Sequence, residues 1–297
     1  MIKIVFLGTS QAVPDRERGQ TSVLLNYDGE NILVDCGECT QRQFRLAGLN
    51  PCKLDKILIT HWHGDHVLGL PGLLQTLALN NYSKVLEIYG PKGTKKYLQI
   101  MRKMFAFKGK IKIETKEVER GIFFENKKFF LEAAEMDHTT KCLAYAFVEK
   151  DKRKVKMEEL RKIGIEEGPW IKKLQEGEDL FYEGKKISAL DYTTIEKGKK
   201  ISFIFDTRFN KNCVKIAKDS DVLVAEACFL KRDKKLALER GHLTAEDASK
   251  IAKKAKVKKL ILTHVSQRYL KKEEVVKEAK KIFPYTELAR DFMTIYL

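Results

Sequence analysis

Residues 60–66 read Thr60-His61-Trp62-His63-Gly64-Asp65-His66, with four metal-ligating side chains in six residues, between the apolar runs Ile57-Leu58-Ile59 and Val67-Leu68-Gly69-Leu70. A short apolar run that leads into a polar loop reads as a buried strand ending at Thr60, so the ligands fall on the turn leaving a sheet. The chain has only six histidines, at 61, 63, 66, 138, 242 and 264, and half of them lie in this loop. An i, i+2 pair cannot share one face of a helix, and Gly64 discourages a helix, so the expectation is a loop site. Imidazole together with carboxylate suits zinc and related first-row ions.

His61, His63, Asp65 and His66 match, without a gap, the signature H-x-H-x-D-H, and at these residues the chain resembles the metallo-β-lactamase superfamily. The resemblance implies an α/β (α+β) fold, an αββα sandwich of two β-sheets flanked by helices. The superfamily spans lactamases, thioesterases, phosphodiesterases and nucleases, so the substrate class has to come from elsewhere in the chain.

Composition narrows the field. With 297 residues, 43% apolar and 33% charged, the chain fits a globular protein with a sizeable core. No stretch approaches the roughly 18 apolar residues of a membrane span, and Met1 to Gly8 reads as a first strand, not a signal peptide, which points to the cytoplasm. Six scattered cysteines with one C-x-x-C pair, Cys36 and Cys39, read as reduced, mostly buried thiols. The formal net charge of +16 is concentrated: residues 84–116 carry ten Lys/Arg against two acids, and residues 250–281 twelve against three. One charge run is usually a solvated helix face, but two beside a metal loop favour a polyanionic substrate.

Along the chain, Ser22 to Tyr27 and Asn31 to Asp35 flank Asp28-Gly29, a hairpin signal, and a helix is expected from Thr40 to Ala47. Leu68 to Leu79 reads as a helix interrupted near Pro71, and Thr94 to Phe107 as another. Strand-like runs cover Ile111 to Val118, Ile122 to Phe124, Phe129 to Ala134 and Leu143 to Val148, with His138 between the last two. Residues 150–195 break this pattern: Lys150 to Lys162 reads as a charged helix, and Gly164, Gly168-Pro169, Gly177 and Gly184 punctuate a stretch of weak apolar periodicity. The expectation is one domain over residues 1–297 carrying an inserted arm at 150–195. Strands then resume before Asp206, Glu226 and His264, and Thr244 with Asp247 starts a helix. Lys56 to His61 and Lys259 to His264 are nearly the same word, each after a strand ending in Asp (Asp35, Asp206), which fits two β-rich halves contributing ligands to a shared edge.

The candidate ligands are His61, His63, Asp65, His66, His138, Asp206 and His264, more than one tetrahedral ion needs and suited to two with a bridging carboxylate. The superfamily resemblance implies one metal on His61, His63 and His138, the other on Asp65, His66 and His264, and Asp206 between them. Asp65 is also a candidate base for the attacking water. Asp35 is either an orienting carboxylate behind a ligand or a strand-end Asp that caps a turn. His242, in Gly241-His242-Leu243-Thr244-Ala245, either packs at a helix start or stays free to protonate a leaving oxygen, with Glu226 holding its ring.

Longer words run through nearly the whole chain: Phe6-Leu7-Gly8-Thr9, Val34-Asp35-Cys36-Gly37-Glu38, Gly69-Leu70-Pro71-Gly72-Leu73, Asp206-Thr207-Arg208, Glu226-Ala227 and Gly241-His242 with Thr244-Ala245. At these the chain resembles the tRNase Z (ribonuclease Z) family in its short form. The resemblance implies zinc-dependent removal of 3′ trailers from precursor tRNA, leaving a 3′ hydroxyl on the tRNA and a phosphate on the trailer, with two zinc ions per subunit, a homodimer, and His242 with Glu226 assisting the departing oxygen. It also implies that the arm grips tRNA, with Gly164, Gly168 and Pro169 at its tip. Many relatives carry P-x-K-x-R-N in the first loop, a sensor of the CCA terminus; here the loop reads Pro14-Asp15-Arg16-Glu17-Arg18-Gly19, in which Arg16 keeps the charge and Gly19 replaces an amide. A small-molecule hydrolase would need neither the arm nor the basic segments, and an RNA-binding protein without catalysis would not need every ligand and Asp65 intact.

Overall fold

The computed structural model describes residues 1–14, 16–106 and 111–297. Asp15 in the first loop and Phe107, the end of the helix expected from Thr94, lie outside the described residues.

Strands β1 (Ile2–Gly8), β2 (Ser22–Tyr27), β3 (Glu30–Val34), β4 (Lys56–Leu58), β5 (Val85–Gly90), β6 (Lys112–Glu117) and the last strand, β18 (Thr294–Tyr296), form one sheet in the order β18-β1-β2-β3-β4-β5-β6. The turn between β2 and β3 is the expected one, with Asp28 and Gly29 both at positive φ (51° and 87°). From β3 to β6 the neighbours are parallel. A second sheet contains β7 (Gly121–Glu125), β8 (Phe129–Met136), β9 (Cys142–Glu149), β14 (Lys200–Ile204), β15 (Val222–Glu226), β16 (Lys259–Thr263) and β17 (Thr286–Leu288), in the order β17-β16-β15-β14-β9-β8-β7. Here β14 to β17 are parallel.

The sheets meet face to face. The Tyr145 hydroxyl on β9 donates to the Ile59 carbonyl (2.8 Å), Leu143 N–H donates to the Thr60 carbonyl (2.9 Å), and the rings of Tyr27 and Phe147 lie 5.2 Å apart, edge to face. Helices lie outside: α1 (Thr40–Leu46), α3 (Leu70–Leu79) and α4 (Thr94–Met104) bury Phe44, Leu73, Leu74, Leu77, Leu98 and Met101 in a core with Leu33, Ile57 and Ile88 of the first sheet. Four further helices, α7 (Lys211–Ala217), α8 (Lys234–Arg240), α9 (Ala245–Lys254) and α10 (Glu273–Lys280), are interleaved with the parallel strands of the second. Thr244 and Asp247 form a complete capping box at the start of α9.

Some local expectations change. Gly64–Val67 form one helical turn, α2, with His63 as its N-cap, so Asp65 and His66 sit on a helix start and not on a bare loop. The break expected near Pro71 falls before it, and Pro71 lies in the first turn of α3, where its missing N–H leaves no helical bond unmade. Four of the six free cysteines are buried; Cys39 is exposed and Cys52 half-buried. Among the described residues, no helix is long and apolar enough to cross a membrane.

The chain divides into two compact units, one of residues 1–124, 131–147 and 200–297, the other of 125–130 and 148–199. The second has a core of its own, with Leu160, Ile165, Leu174, Leu180, Ile187 and Ala189 buried together and Trp170 packed against them. Lys152–Val155 is a strand, β10, paired with β13 (Thr193–Glu196), and only Met157–Lys162 is helical, α5; the helix expected from Lys150 was misread because charged residues fill the exposed positions of an alternating strand. The unit is completed by α6 (Ile171–Glu176) and the hairpin of β11 (Leu180–Tyr182) and β12 (Lys185–Ile187).

Tyr145→Phe removes the buried hydroxyl that reaches the carbonyl just before the metal loop. It is expected to lower unfolding stability by about 1–2 kcal/mol, read as a lower denaturant midpoint at unchanged slope.

Candidate metal centre

Strand register assembles the site. Val34 pairs with Leu58, and Glu226 with Thr263, so Asp35, Thr60, Asp206, Glu226 and His264 all stand at the C-terminal ends of parallel strands. Asp35 and His264 leave their strands at positive φ (57° and 55°), a conformation that costs a non-glycine residue about 1–2 kcal/mol. Both are held there: Asp35 N–H donates to Leu58 O (2.9 Å) and His264 N–H to Thr9 O (3.1 Å).

Two groups of ligand atoms result, one of His61, His63, His138 and Asp206, the other of Asp65, His66, Asp206 and His264, with the atoms of each group within 4.8 Å of one another. Asp206 belongs to both. Its Oδ2 is 3.5 Å from His61 Nε2 and 3.4 Å from His66 Nε2, and its Oδ1 is 3.1 Å from His264 Nε2.

Hydrogen bonds behind the ligands fix which ring nitrogen faces inward. The Gly241 carbonyl can only accept, so His138 donates from Nδ1 (2.8 Å) and keeps its lone pair on Nε2. The Thr21 hydroxyl donates to Ser10 O and accepts from His264 Nδ1 (2.6 Å); the Thr60 hydroxyl donates to Asp35 and accepts from His61 Nδ1 (3.1 Å). His66 donates from Nδ1 to Asp35 Oδ2 (2.7 Å). Asp35 therefore stands outside both groups and holds one ligand and the base of the loop, since its Oδ1 also accepts the Thr60 N–H (2.7 Å).

These tautomers turn Nε2 of His61 and of His138 toward His63, whose Nδ1 lies 3.1 Å from the first and 3.2 Å from the second, within reach of one shared cation. His66 Nε2, His264 Nε2 and Asp206 Oδ1 are buried without a hydrogen-bond partner, which in a folded interior signals an absent ligand. Burial pushes His61 well below its ordinary pKa and lowers His138 as well, keeping both rings neutral and available as donors. Burial alone would also lower His66, but Asp206, Asp35 and Asp65 outweigh it and raise the ring well above its usual value; a divalent cation would answer the same three carboxylates. The residues present fit a divalent metal.

Beside these groups, His242 Nδ1 pairs with Glu226 Oε2 at 3.0 Å and lies 3.9 Å from Asp206 Oδ2. Burial by itself would lower His242, but Glu226 and Asp206 push it up to about 9. Glu226 is wholly buried, and its other oxygen accepts the Thr207 N–H (2.7 Å). The Gly241 carbonyl that orients His138 directly precedes His242. Gly241 caps α8 at φ 78°, and a Cβ there would come within 2.7 Å of His138 Nδ1, so both chain path and ligand packing demand glycine.

Of the other residues singled out in the sequence, Arg16 is exposed in the loop after β1, and Gly164, Gly168 and Pro169 belong to the second unit; none joins the ligand groups. Sequence reasoning missed Thr21 and Gly241. Gly241 had a readable signal, a glycine ending a helix immediately before a candidate histidine.

Asp35→Ala strips His66 Nδ1, the Thr60 hydroxyl and the Thr60 N–H of their acceptor. Metal affinity, measured by competition with a chelator, is expected to fall about 10–100-fold while the protein stays folded by circular dichroism.

Comparisons with known proteins give the family and the fold. A family model described as anti-Pycsar protein Apyc1 matches residues 2–152, the part holding the metal loop and His138. Ribonuclease Z of Methanothermobacter thermautotrophicus is 37% identical over 296 residues, covering 99% of this chain and 96% of the relative. Ribonuclease Z of Listeria monocytogenes is 41% identical over 298 residues, covering 98% and 97%. Among solved structures, human tRNase Z, short form, aligns with a TM-score of 0.72 at 27% identity over 99% of this chain and 98% of its own. The metallo-β-lactamase fold protein YhfI from Bacillus subtilis gives a TM-score of 0.71 at 18% identity over 99% and 98%, a likeness of fold alone. With relatives of this similarity across its full length, the chain belongs to the ribonuclease Z family and has the metallo-β-lactamase fold.

Proposed function

We propose that this protein is a zinc-dependent endoribonuclease that removes 3′ trailers from precursor tRNA, leaving a 3′ hydroxyl on the tRNA and a 5′ phosphate on the trailer. The observation that carries the reading is the single buried carboxylate of Asp206 shared by two ligand groups, with an imidazole–carboxylate pair, His242 and Glu226, directly beside it. Two zinc ions per subunit are the natural complement of these groups, one held by His61, His63 and His138, the other by Asp65, His66 and His264, with Asp206 between them. When bound, such ions polarise the scissile phosphate and make water more acidic.

The residues of the chain do the rest. Asp65 takes the proton of the attacking water as its oxygen bonds to phosphorus. The bond from phosphorus to the tRNA 3′ oxygen breaks, and His242 gives that oxygen a proton. Glu226 keeps His242 charged and aimed, and Asp35 holds His66 and the base of the loop. Both proton transfers thus fall beside Asp206, at the C-terminal ends of the parallel strands.

Substrate binding follows charge and position. Residues 84–116 and 250–281 supply the bases that attract phosphates, although Lys250, Lys258 and Lys259 are already paired with Glu246, Asp221 and Glu287. The exposed Arg16 of the first loop meets the 3′ end, and the second unit, with Gly164, Gly168 and Pro169 in one of its turns, is the arm that grips tRNA in a homodimer. The working compartment is the cytoplasm.

His242→Ala is expected to slow precursor cleavage about 10²–10⁴-fold with zinc content unchanged by atomic absorption; loss of metal would make His242 a ligand instead. Deletion of residues 150–195 should abolish precursor cleavage yet spare hydrolysis of a small phosphodiester; equal retention of both activities would return the protein to the small-molecule hydrolases.

A further inference from the structure

A third group of ligand atoms lies next to the two that share Asp206. Cys228 Sγ, a Glu226 carboxylate oxygen and a His242 ring nitrogen are within 4.8 Å of one another. Cys228 is 1% exposed, and its nearest polar partner beyond the group is Gln11 Oε1 at 4.0 Å, the outer limit for sulfur. The donor set differs in kind from its neighbours. The two main groups offer only nitrogen and oxygen, whereas this one adds a thiol, the ligand that selects for soft cations. Glu226 and Cys228 are buried and His242 keeps 13% of its side chain exposed, so a cation can enter from the histidine side.

We propose that Glu226, Cys228 and His242 form an inhibitory cation site, selective for thiophilic divalent ions such as Cd²⁺ or surplus Zn²⁺, whose occupancy withdraws His242 from proton transfer. The inhibition rests on the reading of His242 as proton donor; the binding does not. Cation–ligand bonds of about 2.0–2.3 Å would draw the three side chains together by about one ångström at their widest separation. On binding, the Cys228 S–H bond breaks, its proton leaves to solvent, and the sulfur–cation bond forms without any change of oxidation state. His242 releases to solvent the proton it holds against Glu226 and gives the cation the lone pair so freed. The burial and the neighbouring carboxylates that hold the Cys228 thiol protonated keep the site closed until a cation arrives.

The test titrates Cd²⁺ into zinc-loaded protein while the ultraviolet sulfur-to-cadmium charge-transfer band and the cleavage of precursor tRNA are followed together. The main ligand groups contain no thiol, so cadmium entering them adds nothing to this band. Wild-type protein is expected to gain the band and lose cleavage over the same Cd²⁺ range. Cys228→Ser should lack that increment and keep cleaving to a Cd²⁺ concentration about tenfold higher or more; Cys228→Ala serves if serine disturbs the fold. His242→Ala, read by the band alone, should need more Cd²⁺ although its thiol is intact. A band and an inhibition curve unchanged by Cys228→Ser overturn the site. A band that depends on Cys228 without loss of cleavage overturns the inhibition and counts against His242 as proton donor, not against the binding.

Discussion

The structure depends on gathering imidazoles and a carboxylate in one place without water. His61, His66, His264 and Asp206 are all at most 2% exposed, and their inward atoms approach within 3.1–3.5 Å. Burial strips a carboxylate of water and holds His61 neutral, while the carboxylates around His66 favour its charged form. The arrangement persists because each ring is tied from behind by a group that can only accept or has already spent its proton, Gly241 O, Thr21 Oγ1, Thr60 Oγ1 and Asp35. The same ties turn Nε2 of His61, His66, His138 and His264 inward, where a cation would find its ligands.

Much of this was legible in the chain. Four ligands in six residues announce a metal site whatever the fold, and apolar runs that end in Asp206 and His264 place those two at sheet ends. The near repeat of Lys56–His61 and Lys259–His264 does mark equivalent parallel strands, β4 and β16. The echo is incomplete in one respect. Asp35 ends the strand next to β4, whereas Asp206 stands two strands from β16 with β15 between, so one carboxylate orients a ligand and the other lies among the ligands. Strand order decides which, and a strand's own sequence says nothing of its neighbours. The supporting hydroxyls were invisible for a related reason: Thr21 and Thr60 look like any strand-end threonine until tertiary structure brings a histidine to each. The second unit was read as irregular because its core is built from isolated apolar residues, Leu160, Leu174 and Ile187 among them, spaced by charges that cover a small surface.

Charge and shape address the same substrate by different routes. The basic segments act at a distance and without sequence preference, which suits the capture of a folded polyanion. Ion pairs trim both segments, at Lys84 and Lys116 in the first and at Lys250, Lys258 and Lys259 in the second, while Lys95, Lys96, Arg102 and Lys103 of α4 are exposed. Selection of the scissile bond has to come from the site itself, where a phosphodiester can present oxygens to both groups of ligands and its departing oxygen to His242, the proposed donor.

That last requirement explains why one turn serves two purposes. Gly241 closes α8 in the left-handed conformation, its carbonyl fixes His138 in the first ligand group, and the next residue is His242. The position of His242, the proposed proton donor, is therefore set by the same peptide that orients His138, and neither can shift without the other. Arg208 reinforces the turn from outside: its Nε donates to Leu238 O on α8 at 2.7 Å, and Nη1 reaches Asp137, the neighbour of His138, at 3.2 Å. Had the donor been carried on an independent loop, its distance from the bound phosphate would vary with the loop's own fluctuations. Tied to a ligand, it moves only as the metal site moves, which is how a half-buried imidazole would keep the sub-ångström registry that proton transfer in the transition state requires.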